Sequence, residues 1–160
     1  SFGNMYLPSS KQSKIYGDYR TDIFYDLYDM QGNIRQYTTL DGTSTVLLWA
    51  YKGQYPIAEI KNTTYIHVLG ILNESTLNAI SSRIAPTDSD WVLINNLRSD
   101  PAMSNASVTT YTYKPLIGIL TITDPTGITV YYEYDSLGRL LRVKNDSGKV
   151  IEEYEYYHAE

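Results

Sequence analysis

Tyr131-Tyr132-Glu133-Tyr134-Asp135-Ser136-Leu137-Gly138-Arg139-Leu140 is one copy of a pattern that the chain repeats. Aromatic residues alternate with polar ones, and a Tyr-Asp pair ends the run. A turn Gly follows, then a basic and an apolar residue restart the alternation. An earlier copy reads Phe24-Tyr25-Asp26-Leu27-Tyr28-Asp29-Met30-Gln31-Gly32-Asn33-Ile34. Tyr28, Asp29, Gly32, Ile34 and Gly42 align with Tyr134, Asp135, Gly138, Leu140 and Gly148 at a constant offset of 106 residues. A second alignment, at an offset of 62, sets Tyr51-Lys52, Ile57 and Ile60 against Tyr113-Lys114, Ile119 and Ile122. Tyr113 precedes Tyr134 by 21 residues, and Tyr134 precedes Tyr156 by 22. That period holds two strands of about eight residues and two turns, one hairpin per repeat. Repetition of this kind sets an architecture, and what repeats is expected to be a building block before it is an active site.

The turn chemistry agrees. Gln31-Gly32, Asp41-Gly42, Asp124-Pro125-Thr126-Gly127 and Asn145-Asp146-Ser147-Gly148 join Gly, which tolerates positive φ, to Asp or Asn, which bond local amides. Residues 129–134 and 149–156 read as strands. The second is two-faced, with Val150, Glu152, Tyr154 and Tyr156 on one side and Ile151, Glu153 and Glu155 on the other. The expectation is an antiparallel meander whose strands pair with their sequence neighbours, one face meeting solvent.

The middle of the chain changes period. No tyrosine occurs from Ile66 to Thr110. Leu77, Ile80 and Ile84 fall at helical spacing behind a cap at Asn73 or Ser75, and Pro86 closes that helix. A second helix begins at Thr87 or Asp88, places Asp90 in its first turn where the helix dipole favours negative charge, carries Trp91, Ile94, Leu97 and Arg98, and stops before Asp100-Pro101. Tyr65 to Leu69 is a further single turn. The predicted organisation is an N-terminal extension (1–18), a first β block (19–64), a helical insert (65–106) and a second β block (107–160). The fold class is mainly β with a small α-helical insertion: a curved open sheet built as a meander of β-hairpins.

Composition supports this reading. The 160 residues include 17 Tyr against 2 Phe and 2 Trp, and tyrosine suits a pleated surface with one buried face. A net charge of −5 without a basic stripe disfavours nucleic-acid binding. No apolar run approaches the ~18 residues of a membrane-spanning helix. Ser1 to Pro8 lack the charged and apolar regions of a leader, so any export signal is expected upstream of them. The absence of cysteine rules out disulfides and thiol chemistry without fixing a compartment.

These residues resemble the YD-repeat, or Rhs-repeat, family of bacterial proteins. The likeness is closest over Tyr132 to Leu140 and continues through Val143 to Gly148. In the first block Tyr28-Asp29 and Gly32 are kept, while Asn33 stands where the family prefers Arg. The stretches Leu48 to Ile60 and Thr109 to Gly118 are similar to a subgroup in which a helical insert sits between them. The resemblance implies a large secreted or cell-surface protein whose hairpins spiral into a hollow β-shell around a toxin domain. Neither the segment that closes such shells nor a toxin is visible before or after Glu160. The expectation is therefore a segment of the shell wall whose partners are the neighbouring repeats of a parent chain. On this reading Tyr28, Asp29, Gly32, Tyr134, Asp135, Gly138, Arg139 and Gly148 are structural repeat positions.

Catalytic chemistry finds little to stand on. His67 and His158 lie far apart in sequence with no ligand-spaced partner; His67 is expected to pack in the insert and His158 to lie in a terminal tail. Asp29 and Asp135 precede Gly turns, where bonding to local amides accounts for them, whereas hydrolytic carboxylates act as one unlike pair. Glu152, Glu153 and Glu155 form a solvated edge more readily than a calcium site. Arg139 and Arg142 are expected to pair with nearby carboxylates. Asn62, Asn73 and Asn105 begin glycosylation triplets, which carry little weight in a bacterial protein. No nucleophile elbow, P-loop or dinucleotide fingerprint is present. No cofactor, metal ligand or catalytic residue is assigned, and an enzyme is not expected. Two alternatives remain. Exposed Tyr and Trp49 would make a glycan platform, although tyrosines on both strand faces favour packing. Terminal strands would pair with another copy, unless charges such as Lys11, Lys14 and Glu152 to Glu155 protect them.

Overall fold

The structure, a computed structural model, describes residues 6–157. It falls into two compact units, residues 1–108 and 109–160.

In the first unit five strands follow in chain order: β1 (Ser10–Ile15), β2 (Asp18–Tyr28), β3 (Ile34–Thr39), β4 (Ser44–Ala50) and β5 (Tyr55–Lys61). Each pairs antiparallel with the strand before it. β1 lies inside residues 1–18, where the sequence pattern predicts only an extension. Its run Ser-Lys-Gln-Ser-Lys-Ile has no period-2 apolar signal, and pairing with the eleven-residue β2 is what makes it a strand.

Three short helices come next: α1 (Tyr65–Leu69), α2 (Glu74–Ser82) and α3 (Asp88–Asn96). Asn73 caps α2, accepting from the Thr76 amide at 2.9 Å. Thr87 caps α3 in a capping box with Asp90, and the chain then tightens into a 3-10 turn at Leu97–Ser99. The sequence pattern extends α2 to Ile84, but the helix ends at Ser82 and Ile84 is 76% exposed. Its end is fixed from outside. The Lys52 and Gly53 amides donate to the Arg83 and Ser81 carbonyls at 2.8 and 3.1 Å, supplying the partners that a helix C-terminus lacks. To aim them, Tyr51, Lys52 and Gly53 all take left-handed φ, of 54, 59 and 72°. For the two side-chain-bearing residues that geometry costs about 1–2 kcal/mol each.

The core of this unit lies where the insert covers β4 and β5. Val46 and Leu48 pair with Ile60 and Ala58, so the four share one face. With Ala50, Ile57, Val68, Leu77, Ile80, Ile94 and Leu97 they are buried. A polar clamp fastens the insert at one side. Arg35 on β3 donates to Glu74 Oε1 at 2.6 Å and to Asn78 Oδ1 at 3.0 Å, and lies 5.0 Å from the Tyr65 ring centroid. Tyr65 is buried, and desolvation pushes its hydroxyl pKa up to about 12, so it stays a donor to Glu74.

The second unit is a meander of β6 (Ser107–Lys114), β7 (Gly118–Thr123), β8 (Thr129–Tyr134), β9 (Leu140–Lys144) and β10 (Val150–Glu153), in which β7 to β10 each pair antiparallel with the strand before. Its side chains segregate cleanly. Tyr111, Ile122, Val130, Tyr132 and Val143 share one face. Thr112, Thr121, Tyr131 and Lys144 lie on the other, where Thr112 bonds Thr121 and Lys144 pairs with Glu133. Among residues 109–157 only Thr110 and Val143 are buried, so this sheet has no core layer comparable to that under the insert.

The offset of 62 does not survive as local structure. Ile57, Ile60, Ile119 and Ile122 all occupy strands, but Tyr51-Lys52 forms the left-handed turn while Tyr113-Lys114 ends β6. No helix among the described residues is long and apolar enough to cross a membrane.

Candidate functional site

Five hairpin turns share one backbone design. In each, a first residue donates its amide to the carbonyl four residues on and accepts from the amide of a Gly three residues on. The first residues are Asp29, Thr39, Asp124, Asp135 and Asn145, and the glycines are Gly32, Gly42, Gly127, Gly138 and Gly148. These glycines have φ between 78 and 91°. The arrangement is a type I turn closed by a glycine bulge, whose left-handed position excludes most side chains.

The first side chain completes the turn. Asp135 Oδ1 accepts from the Leu137 and Arg139 amides at 2.8 and 2.9 Å, and Oδ2 from Arg139 Nε at 2.8 Å. Asp29 repeats this: Oδ1 accepts from the Gln31 and Asn33 amides, both at 2.8 Å, and Oδ2 from Asn33 Nδ2 at 2.9 Å. Asp124 accepts from the Thr126 and Ile128 amides, and Asn145 from the Lys149 amide. At the turn begun by Thr39 the carboxylate moves two residues on, to Asp41, which accepts from the Thr43 amide and the Thr39 hydroxyl.

These bonds favour the ionised carboxylate. The Arg139 amide, with further help from the Arg139 side chain and the Leu137 amide, holds Asp135 below the ordinary aspartate value. Asp124 is lowered chiefly by the Thr126 hydroxyl and Asp41 by the Thr39 hydroxyl. A general acid working near neutral pH requires the opposite shift.

The residue after Gly carries the turn onward. The Arg139 guanidinium, fixed by Asp135, lies 4.3 Å from the ring centroid of Tyr156, the tyrosine one period later. Where Asn33 replaces the arginine, its Nδ2 reaches the Gly53 carbonyl at 2.9 Å.

The tyrosine at this repeat position fastens an earlier stretch of the chain. Tyr134 donates to the Ile119 carbonyl at 2.9 Å, Tyr156 to Leu140 at 2.8 Å and Tyr28 to Pro8 at 2.5 Å. Desolvation raises the Tyr28 and Tyr134 pKa values, keeping both hydroxyls protonated. Trp49 joins this set unforeseen. Its indole donates to the Ile34 carbonyl at 2.8 Å from a half-buried position, so it is not the exposed platform residue considered from sequence. Its signal was the spacing: Ile34 lies 15 residues before Trp49, as Ile119 lies before Tyr134.

The remaining candidates do not converge. His67 is exposed, not packed, with Nδ1 3.2 Å from Thr63 Oγ1, because α1 turns Tyr65 and Val68 inward instead. His158 lies outside the described residues. Glu153 pairs with Arg142 at 2.7 Å, while Glu152 and Glu155 accept from Tyr154 and Tyr157. Among the described residues no group of three or more His, Asp or Glu is placed to hold a metal ion. Asn62 donates to the Asn105 carbonyl, and Asn73 is committed to capping α2. A cleft of about 210 Å³ lies between the Asp29 turn and α2, lined by Arg35, Asn78, Ser81 and Ser82 among others. The Asp29 carboxylate and the Arg35 guanidinium at its wall are already engaged, in the turn and in the clamp.

Residues 118–150 match the family model described as RHS Repeat. The matched span runs from the start of β7 to the start of β10 and contains the Asp124, Asp135 and Asn145 turns. A search of curated proteins finds no match.

Proposed function

Since this chain belongs to the Rhs/YD-repeat family, we propose that it is a non-enzymatic structural segment, part of the wall of a β-shell in a large secreted or cell-surface bacterial protein. One observation carries this reading: Asp29 and Asp135, 106 residues apart, build the same turn with the same set of backbone and side-chain bonds. Carboxylates saturated by their own loop are suited to fixing hairpin geometry, and hairpins of one geometry stack into an array. The thin second unit fits a wall, its apolar face (Tyr111, Ile122, Val130, Tyr132, Val143) turned inward and its Thr and charged face outward. Electron microscopy of the parent protein tests this. Density tracing β1 to β10 into a continuous spiral of hairpins supports the wall, and a free-standing globule outside any shell contradicts it.

A second reading, a surface carbohydrate- or ligand-binding module, draws on the exposed rings of Tyr131, Tyr154, Tyr156 and Tyr157 in the second unit. A glycan array with wild-type chain and a Tyr154→Ala/Tyr157→Ala variant separates the two. Binding lost in the variant supports the module, and an array without a binder leaves the wall.

A further inference from the structure

The connector from α2 to α3 sets an arginine at the head of an exposed, unbonded stretch. Ile84, Ala85 and Pro86 make no backbone hydrogen bond among the described residues. Ile84 is 76% exposed and Ala85 is exposed beside it. Arg83 ahead of them has an extended backbone, with φ −69° and ψ 152°, and its side chain is 44% exposed. Connectors of this kind are where chains are nicked most readily.

Little holds Arg83 itself. Its amide donates to the Ile80 carbonyl at 3.3 Å, its carbonyl accepts from Lys52 at 2.8 Å, and Nε lies 2.9 Å from Asp90 Oδ2. Asp90 is buried but does not depend on the arginine, because Oδ2 also accepts from the Thr87 amide and hydroxyl. The guanidinium can therefore swing out without leaving a buried carboxylate unbonded. The other basic residues are less open. Of the 13 Lys and Arg most lie within strands, where access requires breaking a ladder. Arg139 and Lys149 are bonded into the Asp135 and Asn145 turns, and Arg98 is half-buried in its 3-10 turn. Lys52 precedes buried Gly53, whose amide is held by the Ser81 carbonyl.

We propose that the Arg83–Ile84 peptide bond is a processing site for an arginine-directed serine protease, whose acidic primary pocket takes the Arg83 guanidinium in place of Asp90. Hydrolysis adds one water across the bond, leaving a carboxylate on Arg83 and an amine on Ile84. The cut severs the insert without undocking it. The bonds from Lys52 and Gly53 that close α2 lie before the cut, and the Thr87–Asp90 capping box that opens α3 lies after it. Each half keeps its own buried anchors, Leu77 and Ile80 in one, Ile94 and Leu97 in the other. The site is independent of the wall reading.

Trypsin at a low ratio to the folded 160-residue chain provides the test, read by N-terminal sequencing, denaturing electrophoresis and size exclusion. The first new N-terminus is expected to read Ile84-Ala85-Pro86-Thr87, with two pieces that separate in denaturant and elute together without it. Arg83→Gln is expected to slow the first cut at least about tenfold, since the next site needs a larger opening. Ile84→Pro keeps Arg83 and its bond to Asp90 and blocks only the scissile bond. The ψ of Arg83 already suits a following proline, so this variant is expected to resist equally. A first cut at any other Lys or Arg overturns the proposal, as does either variant being cut at the wild-type rate. Cleavage that begins only in urea strong enough to unfold the whole chain overturns it as well, and pieces that elute apart overturn the docked insert.

Discussion

The Tyr134 hydroxyl and ring occupy the space that a Cβ on Gly118 would need. Tyr134 reaches this place to donate to the Ile119 carbonyl, the residue next to Gly118. Gly118 is thus required by a close approach and not by backbone conformation, and it ties β7 to the tyrosine of the Tyr-Asp turn. Gly118→Ala should destabilise the second unit by about 1–3 kcal/mol, as overpacking does. In a Tyr134→Ala background the same change should cost little, because the clash is gone. Urea unfolding of the four members of this cycle checks it, and equal costs in both backgrounds would refute the coupling.

Acid should weaken the turns in a defined direction. Asp41, Asp124 and Asp135 all have folded-state pKa values below the ordinary 3.8. The unfolded chain therefore binds more protons than the folded chain as pH falls past 3.8. Their stabilisation is complete above that value and is lost as pH drops through the folded-state values. Asn145 shows that a carboxamide oxygen makes the same turn without titrating. The triple variant Asp41→Asn/Asp124→Asn/Asp135→Asn should keep the fold at pH 7 and show a shallower acid limb in its unfolding midpoint. Coincident acid limbs for variant and wild type would count against the account.

Cohesion should differ between the units. Ile80 is 1% exposed beneath the insert, and Ile80→Ala should cost about 2–5 kcal/mol. Ile122 is half-buried on the open apolar face of the second unit, so Ile122→Ala should cost less, about 1–2 kcal/mol. Equal losses by chemical denaturation would mean that the second sheet has a core as dense as the first.

How far the sequence could be read depends on the range of the interactions. The Asp135 and Asn145 turns were legible because residues within four positions make them. The caps at Asn73 and Thr87 are equally local. β1 was not, since Lys11 to Lys14 carry no apolar alternation and β2 supplies the reason to extend. The left-handed Tyr51–Lys52 pair could not be read either: its geometry is imposed by carbonyls of Ser81 and Arg83, about 30 residues away. Trp49 offered a large ring on a strand, a pattern that does not say whether the indole N–H has a partner. The Arg139–Tyr156 contact was hidden differently. Asp135 is the visible local partner of that arginine, and only the folded meander brings the ring of the following period over it.

Amide hydrogen exchange on Asp135→Ala tests most directly that these repeated residues hold the hairpins together. Loss of the carboxylate should accelerate exchange at Leu137 and Arg139, whose amides it accepts, and spread along the paired residues of β8 and β9, leaving the amides of β4 and β5 as they were. Unchanged exchange at Leu137, Arg139 and the β8–β9 ladder would contradict the account and free Asp135 for work other than holding a turn.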